Sequence, residues 1–130
     1  AGHMKSRTEA GDPGGRLIGT ASIGAVMGMA RVEAYGASKG AVISMMQALA
    51  VEYAKYGVTA NSILPGHIET AMTAKNFSNE RFADAILPRI PAKRWGTKED
   101  FEGIAAYLMS DASAYHTGDD ILIDGGFVLY

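Results

Sequence analysis

The sequence predicts an α/β chain built on about three parallel strands with flanking helices. A short run, Arg16-Leu17-Ile18-Gly19-Thr20, reads as a buried strand, and Val58 to Leu64 reads as a second one stopped by Pro65-Gly66. Between them, from about Glu33 to Tyr56, apolar residues recur at Ala41, Val42, Met45, Met46, Leu49, Ala50 and Tyr53. That is the i, i+3, i+4, i+7 spacing of a helix with one buried stripe, and Gly57 sits where a left-handed cap would end it. Strand, helix and strand form a βαβ unit, whose right-handed crossover makes the two strands parallel.

The other segments follow from their punctuation. Residues 4–15 are polar and close on Gly11-Asp12-Pro13-Gly14-Gly15, a turn or mobile lead-in, and Ala1-Gly2-His3 resembles a cloning scar outside the fold. Ala21 to Val32, rich in Gly, Ala and Met, reads as a loop. Residues 70–92 hold helical pieces around Arg81–Ile86, broken by Pro88 and Pro91. Thr97 followed by Asp100 has the form of a capping box, with Glu99 adding favourable charge, so a helix should run from Lys98 to Met109. His116 to Asp119 turns the chain into a last strand, Asp120 to Ile123, ahead of Asp124-Gly125-Gly126. With no internal repeat, residues 16–130 form one unit.

Composition narrows the classes. The 48% hydrophobic and 20% charged fractions suit a globular domain, and 130 residues suit one domain. A formal net charge of -2, without a dense run of Lys or Arg, argues against a nucleic-acid face. The sequence has no cysteine, which removes disulfides and thiolate zinc sites and fits a cytoplasmic location. No apolar run approaches the roughly 20 residues of a membrane span. The three histidines lack ligand-like spacing, so no metal is expected.

Tyr35 and Lys39 stand four apart near the start of the long helix, hence on one face. A phenol of pKa about 10 shuttles protons poorly at neutral pH, and a neighbouring ammonium favours its phenolate. Taken alone, the pair also fits an ordinary helix surface. Ser22 lies just past the first strand, where functional side chains of α/β sheets gather, and its hydroxyl could donate to a carbonyl oxygen gaining charge. Taken alone, it also fits a turn-capping serine. His67, following Pro65-Gly66, could touch substrate but reads more simply as a solvent-exposed loop residue, and His116 reads as a turn residue. Met27 and Met29 could line an apolar pocket or simply pack.

Order and spacing sharpen the reading. Ser22, a glycine-rich loop, then Tyr35-Gly36-Ala37-Ser38-Lys39-Gly40-Ala41 resembles the signature of the short-chain dehydrogenase/reductase family. Asn61-Ser62-Ile63-Leu64-Pro65-Gly66-His67-Ile68-Glu69-Thr70 resembles its N-x-I-x-P-G-x-I-x-T segment. Ser110-Asp111-Ala112-Ser113, Thr117-Gly118 and Ile123-Asp124-Gly125-Gly126 resemble its C-terminal landmarks. The resemblance covers about residues 4 to 129, and Ile90-Pro91 with Arg94-Trp95-Gly96 is similar to members acting on sugars, sugar acids and 3-oxoacyl thioesters.

The resemblance implies a partial Rossmann-like sheet, an NAD or NADP cofactor and a small alcohol or ketone substrate. It makes Tyr35 the proton donor or acceptor, Ser22 the group that orients and polarises the substrate oxygen, and Lys39 the partner of Tyr35 and of the nicotinamide ribose. Pro65, Gly66, Ile68 and Thr70 match the stretch that lines the nicotinamide, Gly66 letting backbone approach a flat ring.

The sequence departs from the family at its start. It contains no T-G-x-x-x-G-x-G loop to hold a pyrophosphate on a helix N-terminus, no N-N-A-G segment, and no helix Asn of the catalytic tetrad. Gly19 stands where an Asn is usual. The chain therefore reads as the C-terminal half of such an enzyme, binding NAD(H) or NADP(H) very weakly or not at all. Its first strand should present an open edge, and a homo-oligomer is expected. The competing reading is a non-catalytic oligomerisation or assembly module that kept the sheet. No G-x-S-x-G elbow surrounds Ser22, which disfavours an α/β hydrolase.

Overall fold

The computed structural model describes residues 1–129. It contains three parallel strands, β1 (Gly15–Thr20), β2 (Val58–Pro65) and β3 (Asp120–Ile123), in the order β1-β2-β3. The helix α2, Glu33–Tyr53, connects β1 to β2 and continues as a tight turn over Ala54–Tyr56. Gly57 then takes a left-handed conformation at φ 70° and stops it, as expected.

β2 is central and buried along nearly its whole length, the signature of a strand covered on both faces. Three of its buried residues are polar, and two of their partners explain the turn into β3. The Asn61 side chain donates to the His116 carbonyl (2.8 Å) and accepts from the Asp119 amide (3.0 Å). Thr117 Oγ1 accepts from the Ala60 amide (3.0 Å). The Asn61 and Thr117-Gly118 landmarks are thus fastened to each other.

The face of β1 and β2 under α2 closes on Met46, Ala50 and Ala60, with Leu17, Val42 and Leu49 around them. Gly19 is buried there because a β-carbon would lie 2.6 Å from Met46 Cγ and 2.9 Å from Val42 Cγ1. This packing accounts for the missing Asn: methionine fills the space that a larger residue on β1 would need.

Two segments carry more order than their composition suggests. Gly2–Glu9, in the stretch expected to be scar and mobile lead-in, forms a helix, α1. It lacks a buried stripe and is held by its flank, with Thr8 Oγ1 donating to the Tyr56 carbonyl (3.0 Å). The helix expected from Lys98 begins as a tighter 3-10 turn over Lys98–Phe101. Its α-helical part is Glu102–Met109, numbered α5 after the short helices α3 (Ala74–Phe77) and α4 (Glu80–Ile86). The expected capping contact is present, the Asp100 carboxylate accepting from the Thr97 amide (2.8 Å). Asp100 also holds Arg94 through two hydrogen bonds, and these contacts push its carboxyl far below the usual range.

Among the described residues β1 pairs only with β2, so its other edge is open in this chain. Among the described residues no helix is long and apolar enough to cross a membrane.

Candidate active site

Ser22 lies two residues past the end of β1 and caps the turn Ile23–Ala25, its Oγ accepting from the Gly24 amide (3.1 Å). The capping role and the chemical role are compatible. Accepting fixes the oxygen, and among the described residues the hydroxyl proton has no protein acceptor, so it is free to donate into the adjoining cleft.

Tyr35 and Lys39 occupy the first two turns of α2, as their spacing requires. Tyr35 is 45% exposed and faces the same cleft as Ser22. Gly24 lies between the two: a β-carbon there would sit 3.6 Å from Ser22 Oγ and 3.5 Å from Tyr35 Cε1. The Lys39 ammonium lies 5.7 Å from the Tyr35 ring centroid and donates to the Thr20 carbonyl (2.9 Å). One of its three protons is thus committed to the end of β1.

The cleft has a volume of ≈ 630 Å³ and is otherwise lined largely by apolar and aromatic groups, including Met27 and Met29. Its far wall is assembled from distant segments. Phe77 stacks on Trp95 at 4.1 Å between centroids, and His67 packs edge-on against Phe127 at 4.6 Å. Gly125 and Gly126, both at positive φ, let the backbone press against Ile90, Pro91 and Ala92. The Asp124 carboxylate accepts from the Gly126 and Val128 amides (both 2.8 Å), which places Phe127 beneath the cleft. The Asp124-Gly125-Gly126 landmark is therefore a structural clamp.

His67 corrects the sequence expectation. It is half-buried among Phe77, Phe82, Trp95 and Phe127 instead of lying exposed on a loop, and its Nε2 is buried with no hydrogen-bond partner. Burial, seconded by the charge of Arg89, pushes its pKa below the ordinary 6.5, against an opposing pull from Asp124.

The segment expected to line a nicotinamide divides. Pro65, Ile68 and Thr70 share a shallow cavity of ≈ 380 Å³ with Thr20, Ile63 and Phe101. Ile68 and Gly66 also border the main cleft. Gly66 is glycine for a different reason than expected: a β-carbon would lie 2.6 Å from both Cα and Cβ of Asp124. Strand-end packing demands it, whatever approaches from outside. The Ile68 carbonyl accepts from Thr73 Oγ1 (2.7 Å), whereas its amide makes no hydrogen bond among the described residues. Thr70 is engaged locally, its amide donating to Thr73 Oγ1 (2.9 Å).

These residues fit the nicotinamide end of a dinucleotide. A flat apolar surface lies beside an ammonium with uncommitted protons, and an unpartnered backbone amide suits a carboxamide oxygen. Among the described residues no cluster of His, Asp or Glu could hold a metal ion.

The family model described as enoyl-(acyl carrier protein) reductase matches residues 2–128, and the chain belongs to the short-chain dehydrogenase/reductase family. It is 43% identical over 114 residues to 2-dehydro-3-deoxy-D-gluconate 5-dehydrogenase of Pseudoalteromonas atlantica, covering 88% of this chain and 45% of the relative. It is 31% identical over 115 residues to gluconate 5-dehydrogenase of Gluconobacter oxydans, covering 88% of this chain and 45% of that protein. Among solved structures, gluconate 5-dehydrogenase from Burkholderia cenocepacia in complex with NADP and tartrate superposes with a TM-score of 0.90 at 30% identity. That match covers 98% of this chain and 48% of the other. The chain thus spans about half the length of the relatives it matches.

Proposed function

We propose that this chain is the substrate- and nicotinamide-side half of an NAD(P)-dependent oxidoreductase acting on a secondary alcohol or the matching ketone. The observation that carries this reading is the arrangement of Ser22 and Tyr35 on one cleft with the Lys39 ammonium tethered behind them at the Thr20 carbonyl. Tyr35 takes the substrate hydroxyl proton in oxidation and returns it in reduction. Ser22, its oxygen fixed by Gly24, donates a hydrogen bond to the same substrate oxygen and stabilises charge developing there. Lys39 offers its remaining protons to ribose hydroxyls and sets a positive charge beside the phenol. The cofactor, when bound, supplies or accepts the hydride. Ile68, Pro65 and Thr70 would hold its nicotinamide end.

The relatives' names support sugar acids as the substrate class, and the tartrate complex supports a site tolerant of carboxylates. The cysteine-free composition supports action in the cytoplasm. Without a phosphate-binding loop in its sequence, this chain by itself should bind the whole cofactor weakly. The test is reduction of 5-keto-D-gluconate at millimolar NADPH, followed by loss of reduced-nicotinamide absorbance and by product chromatography. Slow turnover abolished by Tyr35→Phe supports the proposal. Turnover unchanged in that variant contradicts it.

A second reading, an assembly module without activity of its own, is favoured by one observation. Val51 is 84% and Met45 53% exposed on α2, while β1 keeps an unpaired edge. Self-association without turnover in a chain shown to hold cofactor would favour it.

A further inference from the structure

Arg89 ends the turn Leu87–Arg89 and borders the main cleft. Its guanidinium carbon lies 4.6 Å from the centroid of the Phe127 ring, so the flat cation is braced on an aromatic face. Three other arginines are spent on protein acceptors: Arg7 on Asp12, Arg16 on Ser110 and Asp111, Arg94 on Asp100, while Arg31 and Arg81 lie outside the cleft lining. Among the described residues Arg89 has neither a carboxylate partner nor a hydrogen-bond acceptor. Among the described residues the lining of the cleft holds no aspartate, no glutamate and no lysine, so Arg89 is the permanent charge found there. His67, next to it, does not add a second at neutral pH, since burial and Arg89 itself disfavour its protonation.

An exposed guanidinium at the border of a largely apolar cleft, without a carboxylate partner among the described residues, suits a carboxylate ligand by chemistry. We infer that Arg89 is the anion anchor of this cleft, gripping the carboxylate of a polyhydroxylated acid so that a carbinol or ketone carbon farther along it meets Ser22 and Tyr35. The inference rests on the oxidoreductase reading for the second contact only; the anchor itself needs no cofactor. Contact with the Phe127 face restrains the guanidinium, whose planar fork favours two parallel hydrogen bonds to a carboxylate over a single one to a hydroxyl. Arg89 is thus a specificity-determining residue, separating acids from neutral polyols.

The experiment is an NMR titration of the 15N-labelled chain, without cofactor, using D-gluconate and its neutral counterpart D-glucitol as probes. D-Gluconate should bind about tenfold tighter or better, moving the Arg89 side-chain and Phe127 resonances, as a charge-assisted pair requires. Arg89→Gln should erase that preference, and Arg89→Lys should keep only part of it, since lysine restores charge without the fork. Spectra of the free variants establish that each is folded. If Arg89→Gln unfolds the chain, the lysine variant decides, full retention of the preference counting against the fork. Equal binding of the two probes by the unaltered chain overturns the inference, as does a preference that survives Arg89→Gln. Because no turnover is involved, loss of the hydride-transfer reading would leave this result standing. Turnover of neutral ketones with no gluconate preference would sink the anchor alone.

Discussion

The Lys39 ammonium donates a 2.9 Å hydrogen bond to the carbonyl oxygen of Thr20, fastening the second turn of α2 to the end of β1. That bond sets where the charge sits relative to Tyr35 and to Ser22, two residues beyond Thr20. Lys39→Met should therefore do more to chemistry than to folding. The bond is partly solvated, so its loss should cost about 1 kcal/mol or less in urea unfolding. Turnover at saturating substrate should fall about a hundredfold or more. Comparable small losses in both measurements would reduce Lys39 to a structural tether.

Ser22 and Tyr35 should separate in the same way. The Tyr35 hydroxyl has no protein partner among the described residues, so Tyr35→Phe should leave the unfolding midpoint unchanged while activity drops by about 10²–10⁴. Ser22→Ala also removes the Gly24 cap, adding about 1 kcal/mol of destabilisation to its catalytic defect. Urea denaturation beside initial-rate assays distinguishes the two.

Two glycines make a paired test of the packing. Gly66→Ala drives a β-carbon to 2.6 Å from the Asp124 backbone and should cost about 1–3 kcal/mol. Gly103, in α5 with nothing within 4 Å of its would-be β-carbon, should instead gain about 0.5–1 kcal/mol on replacement by Ala. Gly66→Ala at full stability would return that glycine to the role the sequence suggested, clearance for a cofactor ring.

His67 predicts a pH dependence of stability. Its folded pKa lies below 6.5, so near that pH the unfolded chain binds the proton more readily than the folded one. The stabilisation from a neutral, buried imidazole is complete above about 6.5 and is lost as pH falls toward the folded value. His67→Phe should flatten the stability profile between neutral and mildly acidic pH. An unchanged slope, read from urea midpoints across that range, would show that other groups set it.

Much of the framework was legible because its signals are local. Gly57 after a helical stripe, Thr97 with Asp100, and Pro65-Gly66 after β2 are each read within a few residues. What escaped depends on distant contacts. His67 looked exposed because the rings that bury it come from Phe77, Phe82, Trp95 and Phe127, separate in sequence and joined only by the fold. Arg89 gave no signal because its brace, Phe127, lies across the Asp124-Gly125-Gly126 clamp. Gly66 was legible as glycine, but the cause lay in the backbone of β3's following turn. The α1 helix was missed because no apolar stripe marks it, and its anchoring runs through single side chains such as Thr8.

The half-site account turns on which part of the cofactor this chain can hold. Calorimetric titration with NADPH and with nicotinamide mononucleotide tests it directly, because the mononucleotide carries only the end that Lys39, Pro65, Ile68 and Thr70 would contact. Weak, closely similar affinities for the two are expected, both lost in Lys39→Met. Micromolar binding of NADPH, far tighter than that of the mononucleotide, would contradict it.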